Sequence, residues 1–197
     1  SKNTNVEKFY LSYEKKQIPK IKKFKDLEIK DNDFIISFVG NFSEIKFNFS
    51  FIFDCSNEIY SLSKNIKFVF CGDFKNLEEK NKYNFKNIFF YDWIDRDELR
   101  ELLNISNLGL APYNDLWDFN LSIPNKISEY LCYELPILTS LKGDTENLIN
   151  QYNCGISYSS NEKNQFIQII KNLYFDKEMY AKIKKGAIKA SSKFYDD

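Results

Sequence analysis

Residues 122–140 read SIPNKISEYLCYELPILTS and combine a helical pattern with a strand pattern. Pro124 suits a first helical turn, because its missing amide proton would have no intrahelical partner there, and Ser122 is suited to cap that turn. The run LPILTS at 135–140 has the length and composition of a buried strand. The segment therefore predicts a helix over 124–134 followed directly by a strand.

The same alternation of strand and helix extends on both sides of this segment. Further strands are predicted at 34–40, 66–72, 87–91, 107–113 and 154–159. Further helices are predicted near 46–62 and at 96–105, 145–152, 161–175 and 177–194. Near-continuous apolar strands that alternate with helices are typical of a parallel sheet covered on both faces. The predicted fold is α/β, a doubly wound, Rossmann-like parallel sheet of about six strands with helices on both faces.

The bulk composition limits the function classes. The chain has 197 residues, 28 basic and 28 acidic side chains and no histidine. A nucleic-acid binder would usually carry a basic surplus, and without histidine neither a Ser-His-Asp triad nor a histidine-ligated metal can form. The four cysteines lie in apolar segments without metal-chelating spacing, so we expect reduced core residues of a cytoplasmic protein and no metal site. Apolar runs are all shorter than a membrane span requires.

The domain boundary is predicted at residue 34, where short apolar runs alternating with helical patterns replace a polar sequence. Residues 1–33 are polar, rich in lysine and without a sustained period, so we interpret them as an interdomain linker or arm. We expect one folded domain over 34–197. The aromatic residues of the first predicted helix are expected to fill the core: Phe49, Phe51, Phe53 and Tyr60.

Ligands of doubly wound sheets bind outside the carboxyl ends of the strands, so the residues that follow each strand are the candidates for a site. The first strand ends in Gly40, which allows a ligand to approach the backbone, and Lys46 follows near a predicted helix start. A tight turn with a solvated lysine would give the same pattern. Neither GxGxxG nor a GKS/GKT loop is present, which argues against a dinucleotide oxidoreductase and a P-loop nucleotidase.

The predicted helix at 124–134 carries a cation where its dipole is already positive. The amides of Asn125, Lys126 and Ile127 would be free to bind an anion such as phosphate. Lys126 in the first turn opposes the dipole unless an anion comes to meet it. The alternative is an i,i+3 ion pair between Lys126 and Glu129, worth about 0.2–0.5 kcal/mol on a surface.

Nearly the whole chain resembles the C-terminal, donor-binding half of family-4 retaining glycosyltransferases with the GT-B fold. FVGNFSEIKF resembles their "VGR…KG" turn, NIFFYDWIDRDELRELL their "NV.F.G.V….EL…L" segment and NLGLAPY their "ADL.L.P" strand. PNKISEYLCYELPILTS resembles "P.K..EYMA.G.PVI.S", a form common in bacterial capsule, O-antigen and exopolysaccharide enzymes. TNVEKF resembles the interdomain "NGVD…F" segment, and Glu146 and Gly155 match "E.I…..G".

The resemblance implies that residues 34–197 form a nucleotide-sugar donor-binding domain, and it implies a set of site residues. Lys46 would contact the donor diphosphate and Glu129 the ribose hydroxyls, and these two are the expected catalytic residues. The remaining expected contacts to the nucleotide-sugar come from residues after the strands: Gly40, Asn41, Asp92, Trp93, Ile94, Tyr113, Asn125, Lys126 and Ile127. Catalysis would be electrostatic, with no metal and no cofactor besides the nucleotide-sugar substrate.

Several positions depart from the family pattern. Asn41 replaces an arginine and Phe47 a glycine, which weakens the expected phosphate clamp. Leu121 replaces a glutamate that touches the donor sugar, so sugar recognition must differ from the family pattern. The candidates for that role are Asp115, Asp118 or Asn120. Glu134 stands in place of a helix-ending glycine and is expected in the left-handed region.

The expected partner is an N-terminal acceptor domain, without which this half would be inactive. The basic segment 15–25 with Phe24, and the lysines of the last helix, could also attach the protein to the inner face of a membrane. Solvated charge is the favoured explanation, because the overall charge is balanced. Nucleic acid is not an expected partner. Two alternatives stay open: a non-hydrolysing sugar-nucleotide epimerase half, and a non-catalytic α/β interaction module.

Overall fold

The computed structural model describes residues 24, 27, 29–30, 32–74, 85–115 and 121–193. Within them, strands and helices occur in the predicted order. The strands are β1 (Phe34–Val39), β2 (Ile66–Cys71), β3 (Ile88–Tyr91), β4 (Leu108–Ala111), β5 (Ile137–Thr139) and β6 (Gly155–Ser157). The helices are α1 (Phe49–Leu62), α2 (Arg96–Ile105), α3 (Asn125–Cys132), α4 (Gly143–Tyr152), α5 (Lys163–Phe175) and α6 (Lys177–Ser191).

The six strands form one parallel sheet in the order β3-β2-β1-β4-β5-β6. This confirms the predicted doubly wound α/β fold. β1 and β4 are neighbours and pair Ile36 with Leu108. From β1 the strand order runs towards one edge of the sheet through β2 and β3, and from β4 it runs towards the other edge through β5 and β6. At such a switch point the loops that follow the two strands diverge and leave a crevice at the carboxyl edge.

The helices that cover the sheet also pack against one another. α1 packs against α5, while α6 packs against α3 and α4. Phe49, Phe51 and Phe53 of α1 are buried as predicted, whereas Tyr60 is half-buried. The four cysteines are buried and free, as expected of reduced core residues.

A second apolar cluster lies beside α2 and includes two residues that precede β1. Phe24 and Leu27 are buried against Val39 and Leu102, and the Phe24 ring meets Tyr91 edge-on at 5.0 Å between centroids. Packing of the domain therefore includes side chains ahead of residue 34. Because Phe24 is buried here, the expectation that it touches lipid is wrong.

The end of α3 confirms the expectation for Glu134. Its φ is 57°, in the left-handed region that glycine adopts without cost, and its amide donates to the Leu131 carbonyl at 2.8 Å. This turn directs the chain from α3 into β5. The strain stored in such a residue is about 1–2 kcal/mol.

Candidate functional site

Two glycines bring the carboxyl ends of β1 and β2 into close contact. Gly40 has φ +150° and Gly72 has φ +148°, both in the range that L side chains rarely adopt. A Cβ atom added at Gly72 would collide with the Gly40 carbonyl oxygen. The chain therefore needs glycine at Gly72 for the two backbones to approach.

The first turn of α3 faces the same edge, with fewer free amides than the sequence suggests. Pro124 is the N-cap and provides no side-chain hydrogen bond, so the prediction of Ser122 as the cap is wrong. The Ile127 amide donates to the Pro124 carbonyl at 2.9 Å, so it is not free to bind an anion as expected. Within the described ranges, the amides of Asn125 and Lys126 have no acceptor, and they remain the anion-binding candidates.

The side chain of Lys126 turns inward, against the carboxyl end of β1. Its Nζ donates a hydrogen bond to the Val39 carbonyl and lies 4.2 Å from the centroid of the Phe38 ring. A Cβ atom added at Gly40 would lie 2.9 Å from the same Nζ. These contacts exclude the solvated surface pair with Glu129, and they give the first-turn cation a partner within the protein.

Burial shifts the ionisation of both charged side chains of α3. It lowers the pKa of Lys126 to about 8, while the nearby Glu129 carboxylate acts in the opposite direction. Burial also raises the pKa of Glu129, and the Lys126 charge limits that rise. A partly desolvated acid and base that stabilise each other at the edge of a crevice are typical of functional sites.

Tyr130 lies one turn after Lys126 on the same face of α3 and fixes the helix to the sheet. Its hydroxyl donates to the Leu110 carbonyl of β4 at 2.9 Å. Its ring fills the space over Gly109, where a Cβ atom would collide with it. Tyr130 is fully buried, and its contacts with Gly109 and Leu110 fix the distance between α3 and β4.

Lys46 lies in the turn that precedes α1. The helix begins at Phe49 with Asn48 as its N-cap, so the prediction of a helix start near Lys46 is wrong by three residues. The turn is tied to the end of β4, because the Asn114 amide donates to the Lys46 carbonyl at 2.8 Å. The Lys46 side chain is exposed and extends from an anchored backbone.

Tyr113 supplies the wall of the crevice behind this turn. It is buried, pairs with Phe47 in an isolated bridge and packs against the Phe47 ring, with centroids 4.7 Å apart and ring planes tilted by 57°. Burial raises the pKa of Tyr113, so its hydroxyl stays protonated at neutral pH. Its expected contact with the nucleotide-sugar stays a prediction.

The other predicted contact residues lie on loops that follow β1 and β3. Asn41 is exposed, next to Gly40. After β3, which is the edge strand, Asp92 and Trp93 are exposed, while Ile94 packs against the second apolar cluster. These residues share the carboxyl edge with Gly40, separated from β1 by the width of β2, and their role in holding a base stays a prediction.

Two apolar side chains near this edge are exposed. Leu121 is 65% exposed, just ahead of α3, and Ile45 is 80% exposed beside Lys46. Asp115 is exposed after β4. The other two candidates for sugar recognition lie outside the described residues: Asp118 and Asn120.

Sequence reasoning missed the parts of the site that depend on long-range contacts. The sequence places Gly72 at the end of a predicted strand, where FCG at 70–72 resembles FVG at 38–40, but it does not predict the close approach of Gly72 to Gly40. The rings of Phe38 and Phe47 against Lys126 had no local signal, because 87 residues separate Lys126 from its hydrogen-bond partner Val39.

Among the residues that the structure describes, no three histidine, cysteine or acidic side chains meet as a potential metal site. The described helices include none with the length and apolar character that a membrane crossing requires.

Comparison with known proteins places this fold in a family. Residues 19–190 match the family model of the glycosyl transferases group 1. No curated protein sequence matches the chain.

Solved structures resemble the chain over about half of their own length. WaaG, a glycosyltransferase involved in lipopolysaccharide biosynthesis, superimposes with a TM-score of 0.68 and 17% identity, covering 87% of this chain and 46% of WaaG. HepE of Anabaena, in complex with UDP and glucose, gives 0.66 and 15%, covering 88% and 47%. A putative UDP-N-acetylglucosamine 2-epimerase from Listeria monocytogenes gives 0.63 and 12%, covering 86% and 44%.

These likenesses confirm the fold. The family of the chain is identified by the family model, which covers most of its length. The resemblance to the C-terminal domain of GT-B glycosyltransferases is confirmed. The chain belongs to the glycosyl transferases group 1 family.

Proposed function

We propose that this chain binds the nucleoside diphosphate part of a sugar nucleotide and forms the donor half of a glycosyltransferase. The observation that carries the proposal is the meeting of three features at one point of the carboxyl edge: the open backbone at Gly40, the free first-turn amides of α3, and the Lys126 ammonium between them. All three favour an anion beside the end of β1.

In this proposal the diphosphate lies across Gly40 and the start of α3. The amides of Asn125 and Lys126 donate to phosphate oxygens, and Lys46 reaches them from its turn. Glu129 accepts hydrogen bonds from the ribose hydroxyls. Trp93 and its neighbours hold the base on the loop after β3.

These groups would favour sugar transfer through electrostatics. When the bond between the sugar and the diphosphate breaks, its electron pair stays on the phosphate oxygen and negative charge builds there. Helix-start amides and fixed cations stabilise that charge without reorganising during the reaction. We propose that this half needs no metal ion and no cofactor.

Family membership favours transfer over epimerisation. One similar structure is described as a putative epimerase, but at 12% identity that likeness reports the fold alone. An epimerase would be expected to use histidines around its cleft, and this chain has none. The family match likewise favours an enzyme over a non-catalytic interaction module.

The finer parts of the proposal concern partners. Because the similar solved structures are about twice as long, we propose that an N-terminal domain binds the acceptor and that transfer requires it. The similarity to WaaG supports an acceptor in bacterial surface polysaccharide synthesis, such as a capsule, O-antigen or exopolysaccharide chain.

Membrane attachment at the inner face of the membrane has limited support. Four lysines of α6 are exposed: Lys177, Lys182, Lys185 and Lys189. Lys184 instead donates to the Glu134 carbonyl at 2.8 Å, and Lys193 lies over the Tyr152 ring. Apart from Phe24, the basic segment 15–25 lies outside the described residues.

Titration calorimetry with UDP, GDP, ADP and TDP tests the proposal. We expect at least one of them to bind, and Glu129→Ala to weaken that binding about tenfold without unfolding the domain. Glu178→Ala is the control, because Glu178 is likewise a helical glutamate but is exposed at the start of α6. The proposal fails if none of the four binds at millimolar concentration.

A further inference from the structure

The ammonium group of Lys126 is enclosed by atoms of the protein itself. The Val39 carbonyl accepts its hydrogen bond, and three aromatic rings surround it, with centroids at 4.2 Å for Phe38, 5.9 Å for Phe47 and 5.8 Å for Tyr130. We call these four groups the ammonium cage. Aromatic faces and a carbonyl oxygen are the groups that hold a desolvated cation.

The ammonium cage joins the three elements that meet at the proposed diphosphate site. Val39 is the last residue of β1 and precedes Gly40, Phe47 belongs to the turn before α1, and Lys126 lies in the first turn of α3. A cation shared by all three fixes their separation. Gly40 lies directly over this cation, because its added Cβ would be 2.9 Å from Nζ.

We infer that Lys126 is a positioning residue, whose caged ammonium holds the Gly40 turn against the start of α3 and stays in the cage when a nucleotide binds. The part of this inference that concerns nucleotide binding rests on the proposed function. The part that concerns the support of Gly40 by Lys126 is independent of it. The backbone amide of Lys126 stays available to the diphosphate, while its side chain contributes charge from beneath the turn.

A direct contact between the ammonium and phosphate is the competing arrangement. It would require Nζ to leave the Val39 carbonyl and the Phe38 face, and Gly40 would then lose its support on binding. The two arrangements differ in what happens to Nζ when ligand is added, and in what happens to Gly40 when the ammonium is removed.

The first experiment uses the unmodified chain. With ¹⁵N-labelled lysine, we expect the Lys126 Nζ resonance to move little on addition of UDP, while the amide signals of Gly40 and Asn125 shift. A large Nζ shift, comparable with the largest amide shifts, would overturn the inference. If no signal moves, the proposed nucleotide site is what fails, and the ligand-free experiment decides the positioning role.

The ligand-free experiment measures amide hydrogen exchange. The Gly40 amide donates to the Cys71 carbonyl at 2.9 Å, and in Lys126→Met we expect it to exchange at least tenfold faster. The Ile137 amide on β5 should stay within twofold of the wild-type rate. Lys142→Met is the matched control, because Lys142 is the N-cap of α4 and pairs with a carboxylate at 2.9 Å outside the cage.

Replacing Lys126 by arginine keeps the positive charge but changes the shape of the charged group, so it separates the effect of fit in the cage from the effect of charge. The space beneath Gly40 fits an ammonium but not a guanidinium, so Lys126→Arg should lose UDP affinity and Gly40 protection as Lys126→Met does. Wild-type exchange at Gly40 in both folded variants would contradict the inference. Should Lys126→Met fail to fold, the Nζ measurement on the unmodified chain still decides the matter.

Discussion

Lys126 should make the stability of this protein rise with pH above neutrality. Its pKa is lowered from 10.5 to about 8 in the folded chain, so between these values the unfolded chain binds more protons than the folded one. Under that condition the free energy of unfolding increases as pH rises. The charged form costs the fold about 3 kcal/mol at pH 7 and about 1 kcal/mol less at pH 9.

Urea denaturation of the wild type and of Lys126→Met at pH 7 and pH 9 measures this effect. The stability of the wild type relative to the methionine variant should increase by about 1 kcal/mol between the two pH values. Glu129 acts in the opposite direction, because a raised carboxyl pKa makes stability fall as pH rises through it. Both proteins should therefore also be compared in a Glu129→Gln background. A relative stability that is constant or falls with pH would contradict the lowered pKa of Lys126.

Three substitutions test the backbone and packing of the site by urea denaturation. Gly72→Ala should cost about 3 kcal/mol or more, because its Cβ would collide with the Gly40 carbonyl; a loss under 1 kcal/mol would contradict that geometry. Glu134→Gly should stabilise by about 1 kcal/mol by relieving φ 57°, whereas Lys182→Gly, in mid-helix, should destabilise by about as much. Tyr130→Phe should cost about 1–2 kcal/mol, because the carbonyl on β4 loses its donor; an unchanged midpoint would show that this bond adds nothing.

The sequence predicts the order of elements well because each strand is a short apolar run between helical patterns. Five of the six helix starts lie within two residues of the prediction. The exception, α1, begins at Phe49, since Asn48 accepts from the Phe51 amide and ends the preceding turn. Such a cap depends on the path of the turn, which the bridge between Phe47 and Tyr113 fixes from a distant part of the chain.

The candidate site is predictable only in part, for the same reason. Strand-end position identifies Gly40, and the missing glycine at Glu134 predicts its left-handed backbone. Helical spacing puts Lys126 and Glu129 near each other, but it cannot tell whether their face meets the sheet or solvent. That choice depends on the Val39 carbonyl, and the resulting burial produces the shifted pKa values.

A nucleoside diphosphate should bind where β1 ends and α3 begins. Titration of the ¹⁵N-labelled chain with UDP, GDP, ADP and TDP, followed through its backbone amide signals, tests this placement. We expect at least one of the four to shift the amides of Gly40, Asn125 and Lys126 more than those of α5 and α6. Shifts confined to α5 and α6, or no shift with any of the four at millimolar concentration, would contradict it.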